Sequence, residues 1–382
     1  MPFYTKRMVR FLEGKDGKRK HNRESKNEKG LRVAPSSVGT GGGSAAKAGG
    51  KSLAAEVQTT APTEKIADNA FDQKKLLFMK GMLKAAVERL EKEKGALPVK
   101  HRYFGRYTVF QDQAPIGESA TCKVFKAQHQ DFKDNVLAVK IYEGEHGIDP
   151  NNSQWLKVLR VLGKKHPHII QTWDLFHNPE NNAILIFQEL ANKGSLLSYL
   201  QSNQMDEKQA GSWLWQILKA LDYLGDVGIS HRSIQPKHVL LSTKELKVKL
   251  TGFEMSAIYW DQHKEDIRNI ACLPIDQRPS DPNAVSYQAP EVYGDPTKEE
   301  FDPLVADVWS LGATVYYMFA KQYPYDVTKP DTIAKDINNN VQQMQGISAD
   351  GKRVVNEMLK AAATERKHID KLVSDPWIKS FK

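Results

Sequence analysis

Two segments of this 382-residue chain concentrate side chains that can move protons or hold anions. The first is His231-Arg232-Ser233-Ile234-Gln235-Pro236-Lys237-His238, followed by the apolar Val239-Leu240-Leu241. The second, Thr251-Gly252-Phe253-Glu254, follows Lys247-Val248-Lys249-Leu250. Together they offer a hydroxyl, an imidazole and a carboxylate. A serine at its free pKa does not take a proton from another hydroxyl. Neutral imidazole is a poor ligand for Mg²⁺, a hard cation that prefers oxygen. Upstream, Lys140 closes Ala138-Val139-Lys140, and Gly117 lies in Ile116-Gly117-Glu118-Ser119-Ala120-Thr121-Cys122-Lys123-Val124. The two cysteines, Cys122 and Cys272, are far apart in sequence. They signal neither a disulfide framework nor a zinc cluster, and a reducing, intracellular compartment is the simplest reading.

These groups need elements to hold them. Tyr107 to Phe110, Val124 to Ala127, Val136 to Ile141 and Ile184 to Phe187 read as short strands. Gln154-Trp155-Leu156-Lys157-Val158-Leu159-Arg160-Val161-Leu162 reads as a helix, and helix-like stretches dominate after Ser195. Strands first and helices later predict a small sheet-rich lobe followed by a larger helical one. Residues 1–104 hold 23 Lys/Arg against 11 Asp/Glu, leaving 32 against 35 in the rest. The basicity therefore belongs to the N-terminal segment. Residues 1–73 read as a disordered basic tail rich in Gly, Ser and Ala, too poor in apolar surface to offset its ordering entropy. Residues 74–102 read as an amphipathic helix and linker, with Leu76, Met79, Leu83, Val87 and Leu90 on one stripe. No apolar run approaches the roughly 20 residues a membrane span needs.

From Tyr103 to Trp377 the chain resembles the eukaryotic protein-kinase family, because its motifs occur in that family's order. The resemblance implies an α+β, bilobal protein-kinase-like fold. A small antiparallel-sheet N-lobe spans 103–190 and a large helical C-lobe spans 191–382. It also implies a nucleotide pocket built from Gly117, Lys140, Gln188, Glu189 and Leu190. Gly117 would belong to the Gly-rich loop, Lys140 would contact phosphates, and Gln188 would gate the back of the pocket. Glu189 and Leu190 would lie on the hinge that holds adenine. Ala289-Pro290-Glu291 and Asp307-Val308-Trp309-Ser310-Leu311-Gly312 match the family's scaffold motifs, and Arg366 lies where the family has the arginine that pairs with the glutamate of the first. Ser374-Asp375-Pro376-Trp377-Ile378 resembles the calcium/calmodulin-dependent branch.

The same resemblance places Ser233 where the family has its general-base aspartate, and Gln235 where it has the lysine that steadies the transferred phosphoryl group. His238 stands for a magnesium-binding asparagine and Gly252 for a magnesium-binding aspartate. The helix facing Lys140 lacks its usual glutamate, since no Asp or Glu occurs between Asn151 and Trp173. Trp155 or Gln154 takes that place and Lys140 is expected to lack its orienting charge. Glu254 is expected to be solvent-facing or locally paired. Thr251, Ser256, Ser280 and Ser286 are expected as phosphate acceptors, with Arg232 as the cation that would pair such a phosphate.

The resulting expectation is a catalytically inactive kinase-like domain, not an enzyme, acting as a scaffold or allosteric regulator of a signalling protein. It would have no metal site and no required cofactor. Two alternatives stay open: a metal-independent ATP-binding switch, and a Ser/Thr protein kinase or unconventional transferase with residual activity. Partners would be proteins, an active kinase or its substrate among them, with nucleic acid reached only through the basic tail. The location would be cytoplasmic or nuclear.

Overall fold

The computed structural model describes residues 106–382, apart from 120, 144–152, 164, 179–180, 244, 262–265, 268 and 278–281. The expectations for the basic tail and for the helix over 74–94 lie outside the described residues.

One antiparallel sheet forms the N-terminal lobe. Its strands are β1 (Tyr107–Val109), β2 (Gly117–Glu118), β3 (Cys122–His129), β4 (Phe132–Tyr142), β5 (Thr172–Asn178) and β6 (Ala183–Glu189). They run in the order β1-β3-β4-β6-β5, with β2 added to β3. The two-residue period of a strand decides what each face does. On β4, Leu137, Val139 and Ile141 enter a small core with Tyr107, Phe125 and Phe187. Lys140 and Tyr142 alternate onto the opposite face. β6 is apolar on both faces: Leu185 and Phe187 join that small core, while Ile184 and Ile186 join the main one. Helix α1 (Gln154–Leu162) covers the cleft-side face and buries Leu156, Val158, Leu159, Val161 and Leu162.

The helical lobe is built on α2 (Leu196–Ser202), α3 (Glu207–Asp226), α4 (Pro303–Ala320), α5 (Ile333–Gln343), α6 (Ala349–Met358), α7 (Ile369–Ser374) and α8 (Pro376–Lys379). Helix α4 is buried along most of its length, including Asp307, Trp309 and Gly312. Asp302 caps its N-terminus, accepting from the Leu304 and Val305 N–H groups at 2.9 and 3.4 Å. Arg366 is fully buried and pairs with Glu291 at 2.5 Å, its guanidinium lying 4.9 Å over Trp309. The resemblance implied that Arg366–Glu291 pair, and the structure makes it.

Three short strands hold the segments that carry the chemistry. β7 (Ile229–Ser230) leads into residues 231–238, and β8 (Val239–Ser242) leaves them. β9 (Lys247–Leu250) pairs antiparallel with β8, with Val239 opposite Leu250. That register sets His238 beside Thr251, whose N–H donates to the His238 carbonyl at 2.9 Å.

Candidate active site

The loop between β7 and β8 is pinned from below by a carboxylate. Asp307 of α4 accepts from the backbone N–H groups of His231 and Arg232, both at 2.7 Å. Arg232 takes a positive φ of 62° to present them. His231 lies buried against Phe253, ring centres 4.6 Å apart, and bonds the Thr251 carbonyl through Nε2 at 2.9 Å. Burial holds its imidazole down to about 3, so it is a neutral structural group at physiological pH.

Above this floor, Ser233, Gln235 and His238 form one hydrogen-bonded cluster. Gln235 Nε2 donates to Ser233 Oγ at 3.2 Å. His238 Nδ1 lies 2.7 Å from the Ser233 carbonyl and 3.2 Å from Ser233 Oγ. The shorter contact makes Nδ1 the donor to the carbonyl. Burial brings His238 down to about 4. A Cβ on Gly252 would meet His238 Cγ at 2.3 Å, so the imidazole fills the volume a side chain at 252 would need.

The cleft opens onto a cavity lined by Lys140, Trp155, Gln188, Gly252 and Glu254, among others. Lys140 and Glu254 form an ion pair at 2.8 Å. The Tyr142 hydroxyl donates to the same Glu254 Oε1 at 2.6 Å. Burial would raise the Glu254 carboxyl. The Lys140 charge and the bonds from Lys140 and Tyr142 outweigh that and hold it near 2. Burial and the Glu254 charge push the Tyr142 phenol well upward, so it stays a donor.

Two expectations are corrected by this geometry. Glu254 is about two-thirds buried and paired across the cleft rather than solvent-facing or locally paired, and Lys140 has not lost its orienting charge. The partner comes from 114 residues downstream rather than from α1. The signal available in the sequence was the two-residue step from Lys140 to Tyr142, which puts both on one strand face. Tyr142, which sequence reasoning missed, is the second holder of Glu254. Of the two residues expected in place of the helix glutamate, Trp155 lines the cavity with Lys140. Gln154 instead donates to the Ile258 carbonyl at 3.3 Å.

The remaining candidates separate. Gln188 is buried and donates to Thr172 Oγ1 at 3.1 Å. Glu189 pairs with Lys249 of the helical lobe at 2.7 Å and accepts from the Gln171 N–H at 2.8 Å. Leu190 is half-buried beside it. Gly117 pairs with Val124 on β3, and a Cβ there would make ordinary contact at 3.6 Å, so the turn tolerates a side chain. The hydroxyls of Thr251, Ser256 and Ser286 are in buried residues, which removes them as phosphate acceptors in the folded chain. Ser280 lies outside the described residues.

Among the described residues, no group of three or more His, Cys, Asp or Glu could hold a metal ion. Mg²⁺ bound with a nucleotide commonly keeps several waters and takes only one or two carboxylates beside the phosphates. Glu254, ionised and about a third exposed, fits as one such carboxylate.

The protein kinase domain family matches residues 110–378, more than half of the chain, and the chain belongs to that family. It is 27% identical to testis-specific serine/threonine-protein kinase 1 of Mus musculus, over 69% of this chain and 70% of the relative. It is 24% identical to CBL-interacting protein kinase 20 of Oryza sativa subsp. japonica, over 75% of this chain and 59% of that protein. It is 31% identical to serine/threonine-protein kinase ppk25 of Schizosaccharomyces pombe, over 64% of this chain and 56% of that one.

These relatives are named as protein kinases, and that overturns three expectations: an inactive scaffold, a non-enzyme and no required cofactor. Those expectations judged Ser233, Gln235, His238 and Gly252 position by position against a motif. The relatives point to the serine/threonine kinase alternative, and to a class whose phosphoryl transfer runs on ATP with Mg²⁺. No described helix is long and apolar enough to cross a membrane.

Proposed function

We propose that this chain is a serine/threonine protein kinase that transfers the γ-phosphoryl group of ATP to protein hydroxyls. The observation that carries the reading is the Lys140–Glu254 pair, a charged and oriented lysine in the cleft between sheet and helical lobe. Phosphoryl transfer relies on positioning and on neutralising phosphate charge. Lys140 supplies positive charge on the phosphate side. Mg²⁺, held by the phosphates and the Glu254 carboxylate, would neutralise charge building on the transferred group.

Ser233 Oγ accepts from Gln235 Nε2, and His238 Nδ1, its proton given to the Ser233 carbonyl, cannot accept from the hydroxyl. Its own proton is then left to donate. It therefore suits a phosphate oxygen or the oxygen of the incoming hydroxyl, rather than proton removal. Absence of a general base costs about 10²–10⁴-fold in rate, so turnover should be slow. The protein substrate enters at the helical-lobe side of the cleft, where Ser233 and Gln235 lie.

The test is transfer of label from [γ-³²P]ATP with Mg²⁺ to a mixed-sequence serine/threonine peptide library and to the full chain itself. Label should accumulate with time and disappear in Lys140→Met. Incorporation no greater than in Lys140→Met would sink the proposal.

A further inference from the structure

Helix α1 faces the cleft without an acidic residue. What it sends toward Lys140 is Trp155, whose ring stands 5.4 Å from that of Tyr142. Tyr142 follows Lys140 by two residues on β4, so the two side chains leave the strand on one face. Both reach the same oxygen, Glu254 Oε1, at 2.8 and 2.6 Å. Glu254 is itself anchored, because its neighbour Phe253 is buried against His231. Gly252 turns the chain there with a φ of 83°. The carboxylate thus has a fixed backbone, a neutral donor and a cation converging on it.

We infer that Glu254, held by Tyr142, is the positioning residue for the Lys140 ammonium, and that the acid which aligns this lysine has moved from α1 to the turn after Phe253. Trp155 occupies the vacated place as an apolar brace on Tyr142. Alignment of Lys140 then depends on the seating of the Phe253–Met255 turn. The small-lobe helix no longer controls it electrostatically. The inference rests on the cleft being the ATP site, and it makes a prediction that a merely structural glutamate would not: an acid placed at 155 should replace the one removed at 254.

Two readouts on the full chain separate this inference from the proposed function. The first needs no nucleotide. Pairing shields Lys140 from acylation by acetic anhydride, followed by mass spectrometry of the peptide carrying Lys140. Glu254→Gln should speed modification of Lys140 about 10-fold, the scale of a lost charge-assisted hydrogen bond. Tyr142→Phe should speed it less, about 3-fold, because it loosens Glu254 without removing the charge that pairs with Lys140. Adding Trp155→Glu to Glu254→Gln should slow modification back toward wild type. The second readout is ATP affinity measured with and without Mg²⁺, so that loss of a metal ligand is told apart from loss of Lys140 alignment; without Mg²⁺ it should weaken about 10-fold in Glu254→Gln and recover in the double variant. Equal Lys140 reactivity in wild type and Glu254→Gln overturns the inference, as does a double variant no better protected than Glu254→Gln. Protection that follows the predicted order in a protein showing no ATP binding would uphold the positioning role while removing the kinase reading.

Discussion

His238 and Gly252 occupy one volume. The β8–β9 register sets position 238 beside 251, next to 252, and the imidazole sits where a Cβ at 252 would be 2.3 Å away. Gly252 also has a φ of 83°, a region that costs a non-glycine residue roughly 1–2 kcal/mol. Gly252→Asp alone should therefore lower stability by more than that backbone cost. Combined with His238→Ala it should recover the steric part and leave the backbone part. A double-mutant cycle in urea unfolding measures the coupling. Simple additivity of the two substitutions would show that the ring moves aside freely. Read singly in the sequence, these were two separate departures from a motif, and the structure shows them to be one packing solution.

At the scale of elements, each chemical group is delivered by an ordinary pattern. The alternation along β4 sends Leu137, Val139 and Ile141 to the core and Lys140 to the cleft. Helix α4 is the post on which the 231–238 loop stands, because its Asp307 holds the His231 and Arg232 N–H groups. Asp302 starts that helix by accepting two otherwise orphan N–H groups. Asp302→Ala should cost about 1 kcal/mol, the usual scale of a lost N-cap. A denaturant midpoint unchanged from wild type would show the cap contributes nothing. These elements were legible in advance: the helix expected over Gln154 to Leu162 has those bounds in the structure. The strands around Val124–Ala127, Val136–Ile141 and Ile184–Phe187 are found, each longer at both ends. Strand ends are extended by pairing with neighbours, which local composition does not report.

Across the described residues, burial lowers the pKa of four histidines, His168 among them. His231 falls to about 3 and His166 and His238 to about 4, in each case chiefly through desolvation, from an ordinary 6.5. The unfolded chain takes up these protons near pH 6.5, whereas the folded chain resists them until about pH 4. Stability from this source is therefore complete above about pH 6.5 and is lost as pH falls toward 4, at about 1.4 kcal/mol per pH unit for each proton. Asp307 works in the opposite sense. Burial lifts it to about 7 against its two backbone donors, so it favours the folded state on acidification and offsets one histidine. The net expectation is a urea midpoint that falls between pH 7 and pH 5, with a shallower fall in His238→Asn. A midpoint that is flat or rises over that range would contradict the assignment of these histidines as neutral and buried.

The order of motifs along the chain was enough to determine the two-lobed fold, the place of the cleft and the scaffold contacts such as Arg366 with Glu291. Those features follow from local periodicity and from short motifs that each imply their own element. The electrostatics of the cleft were decided only by tertiary structure. Lys140 and Glu254 are 114 residues apart and belong to different lobes. No periodicity links them, and their pairing depends on how β4, Phe253 and the β8–β9 hairpin pack together. For the same reason the chain's departures from the family motif overstated what was missing. A motif compares residues at fixed positions, whereas a charge acts through space from wherever the fold puts it.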